Sequence, residues 1–146
     1  MTFILWVYLL THKKKGVIMI EDYIKNNIEE FQHDGKNFIY FNITGLADND
    51  QFESYAAAAK EIIKKYPPKS VYVITSSMEF FDTRTKDICS EWIVFNKPYV
   101  IASALVSISG ITRMVAKSIY KKAERGLAPP FTSRDEAVAW LLTQSE

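Results

Sequence analysis

The sequence has few of the residues from which catalytic and metal sites are built. It contains one cysteine, Cys89, and two isolated histidines, His12 and His33. A single cysteine excludes an internal disulfide and is typical of a reducing compartment, so we expect a cytoplasmic protein. The separated histidines offer no metal-binding cluster, and no motif requires a cofactor. We therefore predict no catalytic residue, no metal and no cofactor.

The sequence also lacks an excess of charge of either sign. Eighteen basic residues stand against 17 acidic ones, a formal net charge of +1. The one basic run, residues 13–15, is too short for a nucleic-acid footprint. We therefore expect no nucleic-acid partner.

No hydrophobic run is long enough to span a bilayer. Residues 3–10 are apolar, but the lysines follow this run instead of preceding it, as they would in an export signal. Two interpretations remain. The run is an extra buried or edge strand, or residues 1–18 are an N-terminal extension produced by reading a ribosome-binding site in frame, with Met19 as the true start. In either case residues 19–146 are expected to form one domain.

What the sequence does contain is an alternation of helical and strand patterns. A helix over 21–31 ends near Asp34 and Gly35, although a strand is an alternative there. The pattern then predicts strands over 38–43, 71–75 and 99–106, and helices over about 48–66, 82–95, 112–123 and 132–142, the last opened by Thr132 and Asp135 as a capping box. Near-continuous apolar strands alternating with helices predict an α/β fold with a parallel sheet covered on both faces.

Two strand-to-helix junctions locate the candidate surface, because ligands and partners of open α/β sheets bind at the carboxyl ends of the strands. The predicted partner or ligand surface comprises Ser76, Ser77, Phe80, Phe81, Asp82, Ser107, Ser109, Gly110 and Arg113.

Residues 107–110 have two readings. Backbone N–H groups at the start of the helix could bind an anion, with Arg113 one turn inward as its charge partner. Alternatively, Ser109 caps the helix and Gly110 permits tight packing of helix against strand.

Three segments resemble, in order and spacing, the signature segments of small bacterial STAS/SpoIIAA-like proteins. They are GKNFIYFNITGL at residues 35–46, NKPYVIASA at residues 96–104 and FTSRDEAVAWL at residues 131–141. The resemblance covers about residues 35–142. It implies a STAS-type α/β fold, with a mainly parallel sheet and helices on its faces, in an intracellular, non-enzymatic regulatory or protein-interaction domain.

The resemblance also marks Thr83. In anti-sigma-factor antagonists, an Asp-Ser-Ser-Gly segment places a phosphorylatable serine at a helix N-terminus, and Thr83 would occupy the phosphorylated position. This chain departs from that pattern, because Arg84 follows and no glycine does. The alternative is that Asp82 or Thr83 is an ordinary helix cap.

Two kinds of partner are compatible with this sequence. The first is a protein partner or a second copy of the chain in a homodimer. The second is a small anionic or lipid-like ligand held by the loops at residues 76–85 and 107–113, with Phe80, Phe81 and Met114 around a lipid-like molecule. Exposure of Phe80 and Phe81 would favour a partner or lipid surface, and their burial would indicate ordinary packing.

Overall fold

The computed structural model describes residues 20–76 and 82–145, which form four strands and five helices. In chain order these are α1 (Ile20–Asn27), β1 (Ile28–His33), β2 (Lys36–Asn42), α2 (Asn49–Ile63), β3 (Val71–Ser76), α3 (Thr83–Asn96), β4 (Val100–Val106), α4 (Gly110–Lys122) and α5 (Arg134–Leu141). The predicted extension at residues 1–18 lies outside the described residues. Within those residues, none of the helices has the length and apolar content needed to cross a membrane.

The strands form one sheet in the order β1-β2-β3-β4. Strands β2, β3 and β4 are parallel, with Ile39 opposite Val73 and Val73 opposite Ser103. Strand β1 pairs with β2 in the antiparallel direction. The sheet is therefore mainly parallel, and the predicted α/β fold class is confirmed.

The first element is shorter than predicted. The helix that the sequence placed over 21–31 ends at Asn27, and the chain continues as the edge strand β1. Asp34 and Gly35 form the two-residue turn of a hairpin, with φ of 51° and 75°. A positive φ at both central positions matches the right-handed twist of paired strands, so Asp-Gly here joins two strands and does not end a helix.

Helices α1 to α4 cover one face of the sheet, and its core has aromatic rings at the centre. The ring of Trp92 from α3 lies 5.2 Å from that of Phe41, 6.1 Å from Phe52 and 6.0 Å from Tyr55, each edge to face. Such pairs contribute about 0.5–1.5 kcal/mol each beyond the area that they bury. This cluster fixes α2 and α3 against β2.

Helix α5 covers the other face through the buried side chains of Ala137, Val138 and Leu141. On the sheet beneath it, the ring of Phe38 stacks between those of Phe31 at 5.1 Å and Tyr72 at 5.0 Å. Both faces of the sheet are thus covered, as predicted.

Two helix ends differ by a few residues from the predicted ones. Ser133, not Thr132, caps α5, and its hydroxyl accepts from the backbone N–H of Glu136 at 3.2 Å. Helix α4 ends at Lys122, one residue before the predicted end at 123, and Glu124 follows in the left-handed region with φ of 58°. The connector after α4 then returns beside β4, where Phe131 pairs with Val106.

Candidate functional site

The three parallel strands end at one edge of the sheet, and α2, α3 and α4 begin beyond it. We call this the carboxyl edge. Asp48, Asp82 and Ser109 cap the three helices, each accepting a hydrogen bond from a backbone N–H three residues on. The first turns of three helices therefore meet at the surface that the sequence predicted to be functional.

The starts of α2 and α3 are joined by side-chain hydrogen bonds. Asn49 Nδ2 donates to Asp82 Oδ1 at 2.9 Å, and Thr85 Oγ1 donates to Asn49 Oδ1 at 2.5 Å. Thr85 is fully buried, and its Oγ1 also accepts from the backbone N–H of Asp82 at 3.2 Å. The hydrogen bond from Asn49 and that from the backbone of Thr85 lower the pKa of Asp82. Asp82 is therefore an ionised cap.

Arg84 extends the same junction. Its Nη1 lies 3.1 Å from Asp50 Oδ1, and its Nη2 pairs with Glu53, both on α2. These two carboxylates raise the pKa of the guanidinium. The residue that departs from the Asp-Ser-Ser-Gly pattern thus has a structural partner, which sequence analysis missed because the pairing joins residues more than thirty positions apart.

Thr83 lies between Asp82 and Arg84 as the first residue of α3, and its side chain is exposed. A hydroxyl at this place is open to solvent and close to the free N–H groups of the first turn. Ser77, Phe80 and Phe81, which the sequence assigned to the same surface, lie outside the described residues.

Ser76 belongs to the interior. It ends β3, is 4% exposed, and its Oγ lies 2.8 Å from the hydroxyl of Tyr40 and 3.4 Å from Asn42 Oδ1. Its hydroxyl is thus used in hydrogen bonds between neighbouring strands.

The junction after β4 is exposed. Ser107 has a φ of 56° and is held by its N–H, which donates to Phe131 O at 3.1 Å. Ser109 Oγ accepts from the N–H of Thr112 at 3.1 Å, as the capping interpretation predicted. A Cβ atom at Gly110 would meet nothing within 4 Å, so the prediction that this glycine permits tight packing is wrong.

Arg113 does not turn towards residues 107–110. Its Nη2 donates to the carbonyl of Ala128 at 2.5 Å, and its side chain lines a groove between α4 and the connector that follows it. The predicted pairing of Arg113 with an anion at the start of α4 therefore has no support in the geometry.

Two apolar side chains at the start of α4 were not singled out as a pair. Ile111 is 79% exposed and Met114 is 74% exposed, and they are three residues apart on one helical face. The sequence contained a signal for this pair. Once Ser109 is identified as the helix cap, Ile111 falls in the first turn of the helix and Met114 lies three residues further along it.

Burial keeps the Cys89 thiol and the Tyr120 hydroxyl in their protonated, less reactive forms. Burial raises the pKa of the Cys89 thiol to about 12, so the thiolate is scarce at neutral pH. Burial also raises the pKa of Tyr120 to about 12. Both residues line a small, partly open cavity of about 30 Å³ beneath α3 and α4, with room for about one or two water molecules. Within residues 20–76 and 82–145, no group of three or more His, Cys, Asp or Glu side chains could hold a metal ion.

Comparison with known proteins supports the fold. No protein-family model matches the chain, and no match was found among curated proteins. Among solved structures, an anti-sigma-factor antagonist (STAS) domain protein from Planctomyces limnophilus superposes with a TM-score of 0.54 at 16% sequence identity. The match covers 80% of this chain and 98% of that one. At this identity the likeness shows the fold alone, and that fold is the one of STAS domains.

Proposed function

We propose that this chain is a regulatory protein-interaction domain that acts in the cytoplasm without catalysing a reaction, and that its carboxyl edge contacts the partner. The observation that carries the proposal is the exposure of Ile111 and Met114 at the start of α4. Among the described residues, the only other large hydrophobic side chain with comparable exposure is Val94. Adjacent exposed apolar side chains at a functional edge are typical of a contact surface.

The other exposed residues of the carboxyl edge also fit an interface. Interfaces combine an apolar centre with a polar, hydrated rim. At the carboxyl edge, Ile111 and Met114 supply the apolar part, and the exposed side chains of Ser109, Asp82 and Thr83 supply polar groups. Because Asp82 is held by Asn49 and Thr85, its position in the rim is fixed before a partner binds, which lowers the entropic cost of association.

The test is site-specific cross-linking in cells that express the protein. A photoreactive residue replaces Met114 in one variant and Val94 in another, since Val94 is 54% exposed on the later part of α3. We expect a defined protein adduct from position 114 and none from position 94. With the partner in hand, Ile111→Asp should weaken binding at least about tenfold, whereas Val94→Asp should leave it nearly unchanged. Equal adducts from both positions, or an Ile111→Asp variant that binds normally, would contradict the proposal.

We propose further that phosphorylation of Thr83 regulates this contact. A phosphate would add about −1.5 to −2 charge beside the ionised Asp82. It would also compete with Asp50 and Glu53 for Arg84, which follows Thr83 directly. Both effects change the charge and the order of the rim without disturbing the buried Thr85.

Mass spectrometry of the protein isolated from its own cells tests this proposal, with a phosphate on Thr83 as the expected result. Thr83→Glu should change partner affinity by several-fold relative to Thr83→Gln, which is matched in size and uncharged. Unmodified Thr83 under all growth conditions, together with equal binding by the two variants, would refute the switch. Small-ligand binding by the loops at residues 76–85 and 107–113 stays a prediction.

A further inference from the structure

A row of cations lines a groove on the side of α4. Arg113, Lys117 and Lys121 recur every four residues and so share one face of the helix, and Arg125 follows in the connector. These four residues line a groove of about 520 Å³ together with Glu124, Gly126 and Leu127. We call it the α4 groove.

Carboxylates do not balance this charge. Among the described residues that line the α4 groove, Glu124 is the one acid, and its Oε2 lies 3.6 Å from Lys97 Nζ. Residues 107–131 contain five basic residues against this one acidic residue, a net charge of +4 in a chain of net charge +1. The groove therefore concentrates positive charge that the chain as a whole does not have.

The two arginines have unused hydrogen-bonding capacity. A guanidinium carries five N–H donors. Arg113 Nη1 is shielded from solvent and has no hydrogen-bond partner within the described part of the chain. Arg125 is half-buried, its Nη2 reaches the carbonyl of Val100 at a long 3.4 Å, and no described carboxylate lies within 4 Å of it. Burial lowers the pKa of Arg125, as expected for a cation without a counter-charge.

The geometry points to the α4 groove as a binding site for a small phosphate ester or diphosphate that carries at least two negative charges. Arginine forks match the oxygens of a phosphate in pairs, and lysines add point charges around it. A volume of about 520 Å³ is within the range of small-molecule sites. Leu127 offers one apolar contact to the uncharged part of such a molecule. The site shares Arg113 with the predicted carboxyl-edge surface, whereas its other lining residues, 117–127, follow along α4 and its connector. It does not depend on the proposed protein partner.

The test uses the full chain labelled with ¹⁵N and titrated with inorganic pyrophosphate up to about 10 mM, a range that detects millimolar affinity. We expect the largest amide shifts at Gly126 and Leu127, in the backbone of the groove. Lys121→Gln and Arg125→Gln should each weaken binding at least about fivefold, because each removes a charge-assisted contact. Lys65→Gln is the matched control: Lys65 is exposed near the end of α2, and its loss should change affinity less than about twofold.

Lys121 is exposed, so Lys121→Gln keeps the test valid even if Arg125→Gln disturbs folding. Absence of shifts at Gly126 and Leu127, the largest shifts at residues 107–110, or equal weakening by Lys65→Gln would each overturn the proposal. Vesicles containing phosphatidylserine provide the final arm. Binding to vesicles without a response to pyrophosphate would assign the groove to a lipid surface and overturn a small-molecule site.

Discussion

Thr85 shows how one buried hydroxyl organises the carboxyl edge. It is the third residue of α3, and its Oγ1 accepts from the N–H of Asp82 while donating to Asn49 at the start of α2. The hydroxyl therefore both completes the cap of its own helix and joins two helices. A capping box normally does only the first.

Thr85→Val should lower the free energy of unfolding by about 1–2 kcal/mol, because valine keeps the volume but leaves Asn49 Oδ1 and the N–H of Asp82 without this partner. Thr83→Val, two residues earlier and exposed, should change it by less than about 0.5 kcal/mol. Urea unfolding of the two variants measures the difference. Equal losses would mean that the hydroxyl of Thr85 has no special role.

At the residue scale, sequence reasoning found the local interactions and missed the distant ones. Asp82 and Ser109 were identified as cap candidates, because capping depends on residue type and position within four residues. The partners of Arg84 lie on another helix, and no local pattern indicates them. The hydrogen bond from Arg113 to the carbonyl of Ala128, fifteen residues along the chain, was missed for the same reason.

At the scale of elements, the largest difference from the favoured prediction is the strand β1, since the sequence placed a helix over 21–31 and kept a strand as the alternative. Ile28 and Phe31 are three residues apart, which fits one face of a helix. In the strand the same spacing puts them on opposite faces of the sheet, where Ile28 packs with the cluster under α2 and Phe31 stacks on Phe38. The spacing alone cannot separate the two cases, whereas the Asp-Gly pair before a strand could have indicated a hairpin.

Elements from β2 onward were predicted because their signals do not compete. Continuous apolar strands, proline or glycine breaks and acceptor residues before each helix all indicate the same boundaries. The predicted ends of α4 and α5 differ from the observed ones by one or two residues. For the start of α5 the reason is that Thr132 and Ser133 are both good caps by residue type. Only the fold decides between them: Glu136 accepts from the N–H and the hydroxyl of Thr132, leaving Ser133 as the cap.

At the scale of the molecule, acidic and basic residues are concentrated in different segments of the chain, although the net charge is only +1. Residues 20–63 contain nine acidic and three basic residues, a net charge of −6, whereas residues 107–131 carry +4. The overall value of +1 hid this division and led sequence reasoning to exclude a nucleic-acid partner, while a small anionic ligand stayed open. The exclusion applies to extended polyanions and leaves room for a small anion in the α4 groove.

Three hydrogen-bonded carboxylates make the stability of the fold sensitive to acid. Arg134 Nη1 on α5 lies 2.6 Å from Glu29 Oε2 on β1 and so links the two elements. This hydrogen bond lowers the pKa of Glu29. Hydrogen bonds from Thr132 lower the pKa of Glu136 at the cap of α5, and that from Asn49 lowers the pKa of Asp82. Three carboxylates that join elements or cap helices are thus held in their ionised forms.

Because these pKa values are lower in the folded chain than in the unfolded one, the unfolded chain binds protons first as the pH falls, and protonation favours unfolding. The stabilisation is fully present above the ordinary carboxyl pKa values of 4.5 for Glu29 and Glu136 and 3.8 for Asp82, and it is lost as the pH falls through the lower, folded values.

We therefore expect the urea midpoint to stay constant between about pH 7 and pH 5 and to fall progressively towards about pH 3. Arg134→Gln should lower the urea midpoint at neutral pH, because a stabilising ion pair is lost. It should also make the fall of the midpoint in acid shallower, because the pKa of Glu29 then differs less between the folded and the unfolded chain. Lys65→Gln serves as a control, because Lys65 forms no ion pair with Glu29, Asp82 or Glu136. A midpoint that does not change down to about pH 3, or an Arg134→Gln profile parallel to that of the unaltered chain, would show that these carboxylates do not couple protonation to the fold.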